Sequence, residues 1–398
     1  MPGEADNCYT WRTQELILCF MPRIMIIAGE TSGDLHGGML VKELKKIDPG
    51  LEIYGIGGDS MQAAGMELSY HIREFSFMGF VEVLGHLPFI RSVFKKLEEL
   101  LVSRKPDLLV LIDYPGFNLR FGRIAKRMGI DVVYYISPQV WAWGKRRIGV
   151  IRRLVKKMLV ILPFEEKFYQ RLKIPARYVG NPLRDTVKPS LRKEEFYRQH
   201  GLNSNEALVG ILPGSRRQEV ERILPVMLQA CQLLYNGNQN IQFALGAAPH
   251  INRQYIKEQL DRCSINVALV ENQTYDLMAH SRLIMVASGT ATLETGLAGT
   301  PMIIVYKTNP LSFIIGKALV KLPFIGLVNL VAGKKVVPEF LQWEARPGAI
   351  FLMARMLMDE GPPRQAVLAE LAGIPQILGE PGAARRAAVE IMQVLSDG

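Results

Sequence analysis

Cysteine and histidine are scarce in this chain, four and six among 398 residues. Cys8, Cys19, Cys231 and Cys263 form no CxxC pair and no spacing suited to a metal. A zinc ribbon and a disulfide framework are thereby excluded, and the thiols read as buried or incidental ones of a reducing compartment. Long apolar runs are missing as well. No uncharged run reaches the roughly 18 residues that crossing a bilayer requires. The longest candidate, 311–331, is broken by Lys317, Lys321, Pro323 and Gly326, so no spanning helix is expected. Residues 1–20 do not read as a signal peptide. Glu4 and Asp6 stand where basic residues belong, and 16–20 is too short for an apolar core. They are expected to be a disordered leader or an over-long start, with the fold beginning at Met21-Pro22-Arg23. Nucleotide fingerprints are absent too. There is no Walker A sequence, and Gly29-x-x-x-Gly33 lacks GxGxxG spacing while its Glu30 would repel a pyrophosphate. No cofactor and no metal are expected.

Acidic residues are outnumbered, 38 against 48 Lys and Arg, for a net charge of +10. Such a balance favours anionic partners: nucleic acid, acidic lipid or a phosphorylated substrate. Nucleic acid is disfavoured, because the basic residues are not interleaved with exposed aromatics in a known binding motif.

What is present is a globular composition, 48% hydrophobic and 22% charged, at a length that suits two domains. Apolar runs at 24–28, 53–56, 108–112, 132–136, 158–162 and 178–179 alternate with helical spacing, as in Leu35, Met39, Leu40, Leu44 and Ile47. After a turn-like Asn181-Pro182-Leu183-Arg184-Asp185 and a charged helix over 188–200, a second series follows at 208–212, 241–245, 267–270, 283–287 and 302–306. From Pro363 on, the chain reads as helices. This alternation predicts an α/β protein of two mainly parallel sheets, each covered on both faces. The expected domains are 21–187 and 188–375, with a C-terminal helix over 376–398.

Short polar motifs directly follow five of the runs. They are Gly29-Glu30-Thr31-Ser32-Gly33-Asp34, Asp113-Tyr114-Pro115-Gly116-Phe117-Asn118, Ser137-Pro138-Gln139-Val140-Trp141-Ala142-Trp143, Pro213-Gly214-Ser215-Arg216 and Ser288-Gly289-Thr290-Ala291-Thr292. Ligands of open α/β sheets bind beyond the carboxyl ends of the strands, so the motifs point to one large cleft shared by two sheets. Asp113, at the end of a fully apolar strand, is a candidate general base whose pKa desolvation raises; a turn cap through Asn118 is the competing reading. Glu30 and Ser32 should face the same cleft. Trp141 and Trp143 suit a sugar-stacking wall. In the second half, Gly214 permits close backbone approach. Ser215 and the helix-start N–H groups suit phosphate, and Arg216 adds a permanent cation. Ser288, Gly289, Thr290 and Thr292 repeat that logic, and Glu294 suits ribose hydroxyls or a capping role. Phe77, Met78, Phe80, Val81 and Leu84 lie in an apolar stretch rimmed by Arg91, Lys95 and Lys96, with a second basic cluster over 145–157. Apolar surface beside cations suits docking on anionic lipid; core packing is the alternative.

Together AGETSGDLHGG (28–38), FMGFVEVLG (77–85), DYPGFN (113–118), YISPQVWAW (135–143), ILPFE (161–165), LPGSR (212–216), ASGTATLE (287–294) and LVNLVAGKKVVPE (327–339) resemble the lipid A disaccharide synthase family, glycosyltransferases of bacterial lipopolysaccharide assembly. The resemblance implies a GT-B fold, two Rossmann-like doubly wound domains facing across a cleft. It implies transfer from UDP-2,3-diacylglucosamine to 2,3-diacylglucosamine 1-phosphate (lipid X), with inversion and usually without a metal. It also implies a cytoplasmic place on the inner face of the inner membrane, and homodimers in some members. By resemblance Asn329 reaches the donor sugar. Two positions depart from the family: Gly116 stands where an acidic residue is usual, and Asn181 where His is usual, which removes a catalytic His there. A UDP-sugar 2-epimerase-like enzyme of the same fold, or a non-catalytic peripheral membrane protein, are the alternatives.

Overall fold

The structure, a computed structural model, describes residues 22–75, 87–142, 144–248, 251–310, 313, 314, 316 and 322–397. Phe77, Met78, Phe80, Val81, Leu84 and Trp143 lie outside the described residues, as does the expected leader.

Two sheets carry the fold. The first contains β1 (Arg23–Ala28), β2 (Glu52–Gly57), β3 (Glu67–His71), β4 (Leu108–Ile112), β5 (Asp131–Tyr135), β6 (Lys157–Val160) and β7 (Ala176–Tyr178), in the order β3-β2-β1-β4-β5-β6-β7. The second contains β8 (Ala207–Leu212), β9 (Ile241–Ala247), β10 (Val267–Glu271), β11 (Leu283–Ala287), β12 (Met302–Tyr306) and β13 (Glu339–Leu341), in the order β10-β9-β8-β11-β12-β13. β1 is parallel to both β2 and β4, and β8 to both β9 and β11. Both orders reverse beside their first strand, as in a doubly wound sheet. Every residue of β4 and β11 is buried. Strands covered by helices on both faces have no polar side to show, which is why they read as unbroken apolar runs.

The chain packs as two compact units. One takes the described residues up to Pro138 together with Gly149–Leu159 and the C-terminal stretch from Ala384; the other takes Gln139–Ile148 and Val160–Ala383. The last helix, Ala383–Ser396, buries Ala384, Ala387, Ala388, Ile391 and Val394, and its Glu390 pairs with Lys157 at the start of β6. Among the described residues no helix is long and apolar enough to cross a membrane.

Several local expectations need correction. The strand expected over 158–162 ends at Val160, because Pro163 opens the helix Pro163–Arg171. The charged helix expected over 188–200 is only Lys193–Gln199. Before it, the backbone N–H groups of Ser190 and Leu191 donate to the buried Asp276 carboxylate at 2.8 and 2.7 Å. Of the residues whose spacing marked the first helix, Thr31–Ile47, Leu35 and Ile47 are each 46% exposed, and its buried face is carried by Leu40, Val41 and Leu44. β3 and β13 have no counterpart in the sequence reading. Both are short edge strands with partly exposed side chains, so neither forms an apolar run.

Candidate active site

In the first sheet Ala28 lies opposite Ile112 in the β1–β4 register. The motifs that follow therefore leave the sheet side by side, although more than 80 residues separate Glu30 from Asp113 in sequence. This is the switch point, where the chain turns away to opposite faces and a crevice opens. Gly29 is required there by close approach: a Cβ would meet the Tyr114 ring at 2.1 Å.

Asp113 and Tyr114 both have positive φ, 43° and 46°. Two successive non-glycine residues in this region are strained, at about 1–3 kcal/mol each. The surroundings hold them. The Tyr134 hydroxyl, on buried β5, donates to the Asp113 carbonyl at 2.5 Å. The Asn118 amide donates to the same carbonyl at 2.7 Å and to that of Ile112 at 3.0 Å. The Asp113 N–H continues the ladder to the Tyr135 carbonyl at 3.1 Å. Asn118 is fully buried, and its amide grips the main chain of the turn. The Asp113 carboxyl is pushed up to about 6, chiefly by burial and also by the Glu30 carboxylate, with the Tyr114 N–H opposing both. Such a group is ionised at neutral pH yet basic enough to accept a hydroxyl proton.

Glu30 and Ser32 are both exposed, Glu30 just before the helix Thr31–Ile47 and Ser32 in its first turn. Asp34 was not among the sequence candidates, but it organises this end of the sheet. It is 4% exposed, and its carboxylate accepts from the N–H groups of Gly58, Ser60 and Met61 at 2.6, 3.0 and 3.0 Å. The turn after β2, which starts at Gly58, is thereby tied to the helix that follows β1. Only a carboxylate next to Gly33 in a motif after the first strand hinted at this in the sequence. The indole N–H of Trp141 donates to Glu165 at 2.9 Å, and its ring meets Phe164 edge-on at 5.0 Å. Asn181 is buried, donating to the Ile161 carbonyl and accepting from the Leu183 N–H.

The second sheet repeats the arrangement. Val286 lies opposite Leu212 in the β8–β11 register, so the Gly214 and Ser288 loops also leave side by side. Gly214 has φ +115°, and a Cβ on it would meet a Glu219 carboxylate oxygen at 2.8 Å. Ser215 and Arg216 are exposed ahead of the helix Arg217–Gly237. Arg216 is 82% exposed at its side chain and pairs with Glu219 at 2.8 Å, a partner the sequence reading did not anticipate. Gly289 and Thr290 are exposed at the start of the helix Thr290–Leu297. The Ser288 hydroxyl donates to the Ile325 carbonyl at 3.1 Å. Glu294 is held by the Tyr275 hydroxyl at 3.3 Å rather than by a helix cap; burial raises its pKa and that hydrogen bond opposes the rise.

Two candidates of this half are corrected. Thr292 is fully buried, and its hydroxyl donates to the Gly289 carbonyl at 2.8 Å, so it braces the loop from behind. Asn329 is fully buried and does not reach outward. Its amide donates to the Val337 carbonyl and to Glu339 at 2.9 and 2.8 Å, and its oxygen accepts from the N–H groups of Val336 and Val337 at 2.8 and 3.0 Å. All of its hydrogen-bonding positions serve the fold.

The family model for lipid-A-disaccharide synthetase matches residues 24–365. The chain belongs to this family. The lipid-A-disaccharide synthase of Geobacter sulfurreducens is 42% identical over 94% of this chain and 97% of its own length. That of Syntrophus aciditrophicus is 43% identical over the same shares. Among solved structures, a putative UDP-N-acetylglucosamine 2-epimerase from Listeria monocytogenes superposes with a TM-score of 0.67 at 13% identity, over 94% of this chain and 97% of that one. A glycosyltransferase of kitacinnamycin gives 0.61 at 16%, over 94% and 99%. The fold is GT-B, and family membership makes the chain a glycosyltransferase of lipid A biosynthesis.

Proposed function

We propose that this member of the synthetase family transfers the sugar of UDP-2,3-diacylglucosamine to the 6-hydroxyl of 2,3-diacylglucosamine 1-phosphate. The products are the β-1,6-linked disaccharide 1-phosphate and UDP. In one displacement the acceptor oxygen bonds to the anomeric carbon, the carbon–oxygen bond to UDP breaks, and the configuration inverts. Asp113 takes the proton released by the acceptor hydroxyl. Glu30 and Ser32 orient the sugars beside it. Arg216, Ser215 and the Gly214 backbone, with Ser288, Gly289 and Thr290, stabilise the charge that develops on the departing diphosphate. Arg216 exchanges Glu219 for phosphate in doing so. Glu294 accepts hydrogen bonds from the ribose. Phe77, Met78, Phe80, Val81 and Leu84, with the neighbouring cations, dock the protein on the anionic inner face of the inner membrane.

The observation that carries this reading is Asp113: a carboxylate at a switch point, raised to about 6 and held by a strained, doubly braced turn. UDP release by the purified protein is expected only when both UDP-2,3-diacylglucosamine and the monosaccharide 1-phosphate are supplied, with a disaccharide product. Release without acceptor would point instead to hydrolysis or epimerisation. Asp113→Ala is expected to lower turnover by roughly 10²–10⁴ while leaving UDP affinity unchanged; near-normal turnover removes Asp113 from the role of base.

A further inference from the structure

The helix that continues from the Asp113 turn carries a second kind of chemistry on its exposed face. The helix Pro115–Arg127 presents Arg120, Arg123 and Arg127 at spacings of three and four, hence along one face. They span about 10 Å along the axis. Gly122 brings this helix against the helix Ile148–Leu154: a Cβ there would meet a Leu154 methyl at 2.9 Å. Between the helices runs an open groove of about 790 Å³ whose floor is Phe94, Ile124, Val150 and Leu154. Its remaining lining is Arg120, Arg123, Lys126, Arg127 and Arg153, with no acidic residue. Lys126 is neutralised by Asp131 at 3.0 Å, a carboxylate shared with Lys156 at 2.7 Å. Arg153 uses its Nε on the Gly149 carbonyl. Arg120, Arg123 and Arg127 have no ion-pair partner among the described residues. Complementarity to the helix dipole accounts for cations in the last turn, Lys126 and Arg127, but not for Arg120 and Arg123, which stand earlier.

We infer that this groove binds the headgroup of an anionic phospholipid, with the arginines on the phosphate and the apolar floor under the glycerol and first acyl carbons. Guanidinium forks match phosphate oxygens in pairs, and arginine is the cation that binds phosphate while lying on apolar surface. A polyanion without an apolar part would leave the floor unused. Single-stranded nucleic acid would need exposed aromatics for base stacking, and Phe94 is instead packed on Phe117 at 4.5 Å. The inference rests on the membrane docking proposed above and gives it a discrete lipid site centred on Arg120, Arg123 and Arg127, which that reading did not use.

The test is co-flotation of the full chain with vesicles of phosphatidylcholine alone or mixed with phosphatidylglycerol. It compares the parent with Arg120→Ser/Arg123→Ser/Arg127→Ser and with a charge-matched control, Arg171→Ser/Arg198→Ser/Arg262→Ser. The groove variant is expected to bind phosphatidylglycerol vesicles on the order of 100-fold more weakly, three surface charges each contributing several-fold. The control should bind like the parent, and both should keep acceptor-dependent UDP release from short-chain substrates. Normal vesicle binding by the groove variant overturns the inference and leaves membrane docking standing. An equal loss in the control assigns the effect to net charge and overturns it too. Release of the parent from vesicles by inorganic phosphate, at concentrations where chloride of equal ionic strength has no effect, makes the groove a free-anion site and overturns the lipid assignment. Failure of the parent to bind phosphatidylglycerol vesicles removes the docking proposal along with the groove.

Discussion

Asp113 holds its charge at a cost to the fold. Its pKa rises from 3.8 to about 6, so the folded chain binds this proton more tightly than the unfolded chain does. The contribution to stability is therefore fully present below about pH 4 and lost as pH rises through 6, up to about 3 kcal/mol for two units. Asp113→Asn removes the charge and keeps the shape. Urea unfolding is expected to show the variant more stable than the parent at pH 8 by up to about 3 kcal/mol, with the gap closing toward pH 4, while turnover is lost. A gap that does not change with pH would show that burial of the charge is not its source. The position of Asp113 after an apolar strand was legible in the sequence, and so was the direction of its shift. The bracing by Tyr134 was not, because it comes from the neighbouring strand and nothing local marks it. Asn118 was visible only as a turn partner; the structure shows its amide gripping two carbonyls from a fully buried position.

At the scale of elements, Asn329 shows how a motif can mislead. Its segment was readable, but not whether the amide faces outward or closes the loop 333–338 onto the helix Leu327–Ala332. The structure spends all four of its hydrogen bonds inward, with Glu339 also accepting from the N–H groups of Ile325 and Gly326 at 3.0 and 2.9 Å. Asn329→Leu leaves these buried partners unpaired, and stability is expected to fall by roughly 3 kcal/mol. Calorimetry and UDP binding together check this. A weakened UDP affinity with an unchanged melting temperature would return Asn329 to the ligand. The edge strands β3 and β13 were missed for a related reason. An edge strand is paired on one side only and half solvated, so its sequence need not be apolar.

For the whole molecule, the C-terminal stretch from Ala384 packs into the unit that contains the N-terminal sheet, while the preceding helices Pro347–Met358 and Pro362–Leu371 stay with the other. Removing residues 384–398 exposes the surface under Ala387, Ala388, Ile391 and Val394. Calorimetry of the truncated chain is expected to show an earlier unfolding transition for the first unit, with that of the second retained. A single unchanged transition would show that the helix contributes little to either.

By itself the sequence determined that the chain is α/β, that the strands are parallel and covered, and that polar motifs cap them. These follow from local periodicity and from the apolar runs that double coverage demands. Only the tertiary structure decided which motifs are neighbours. The Glu30 loop leaves its sheet beside the Asp113 loop, and the Gly214 loop beside the Ser288 loop, because both sheets reverse their order beside the first strand, and strand order is set by packing between segments far apart in the chain. The same holds for the arginine groove. Its spacing was written in one helix, but most of its apolar floor comes from the helices Leu87–Arg104, with Phe94, and Ile148–Leu154, with Val150 and Leu154, packed beside it.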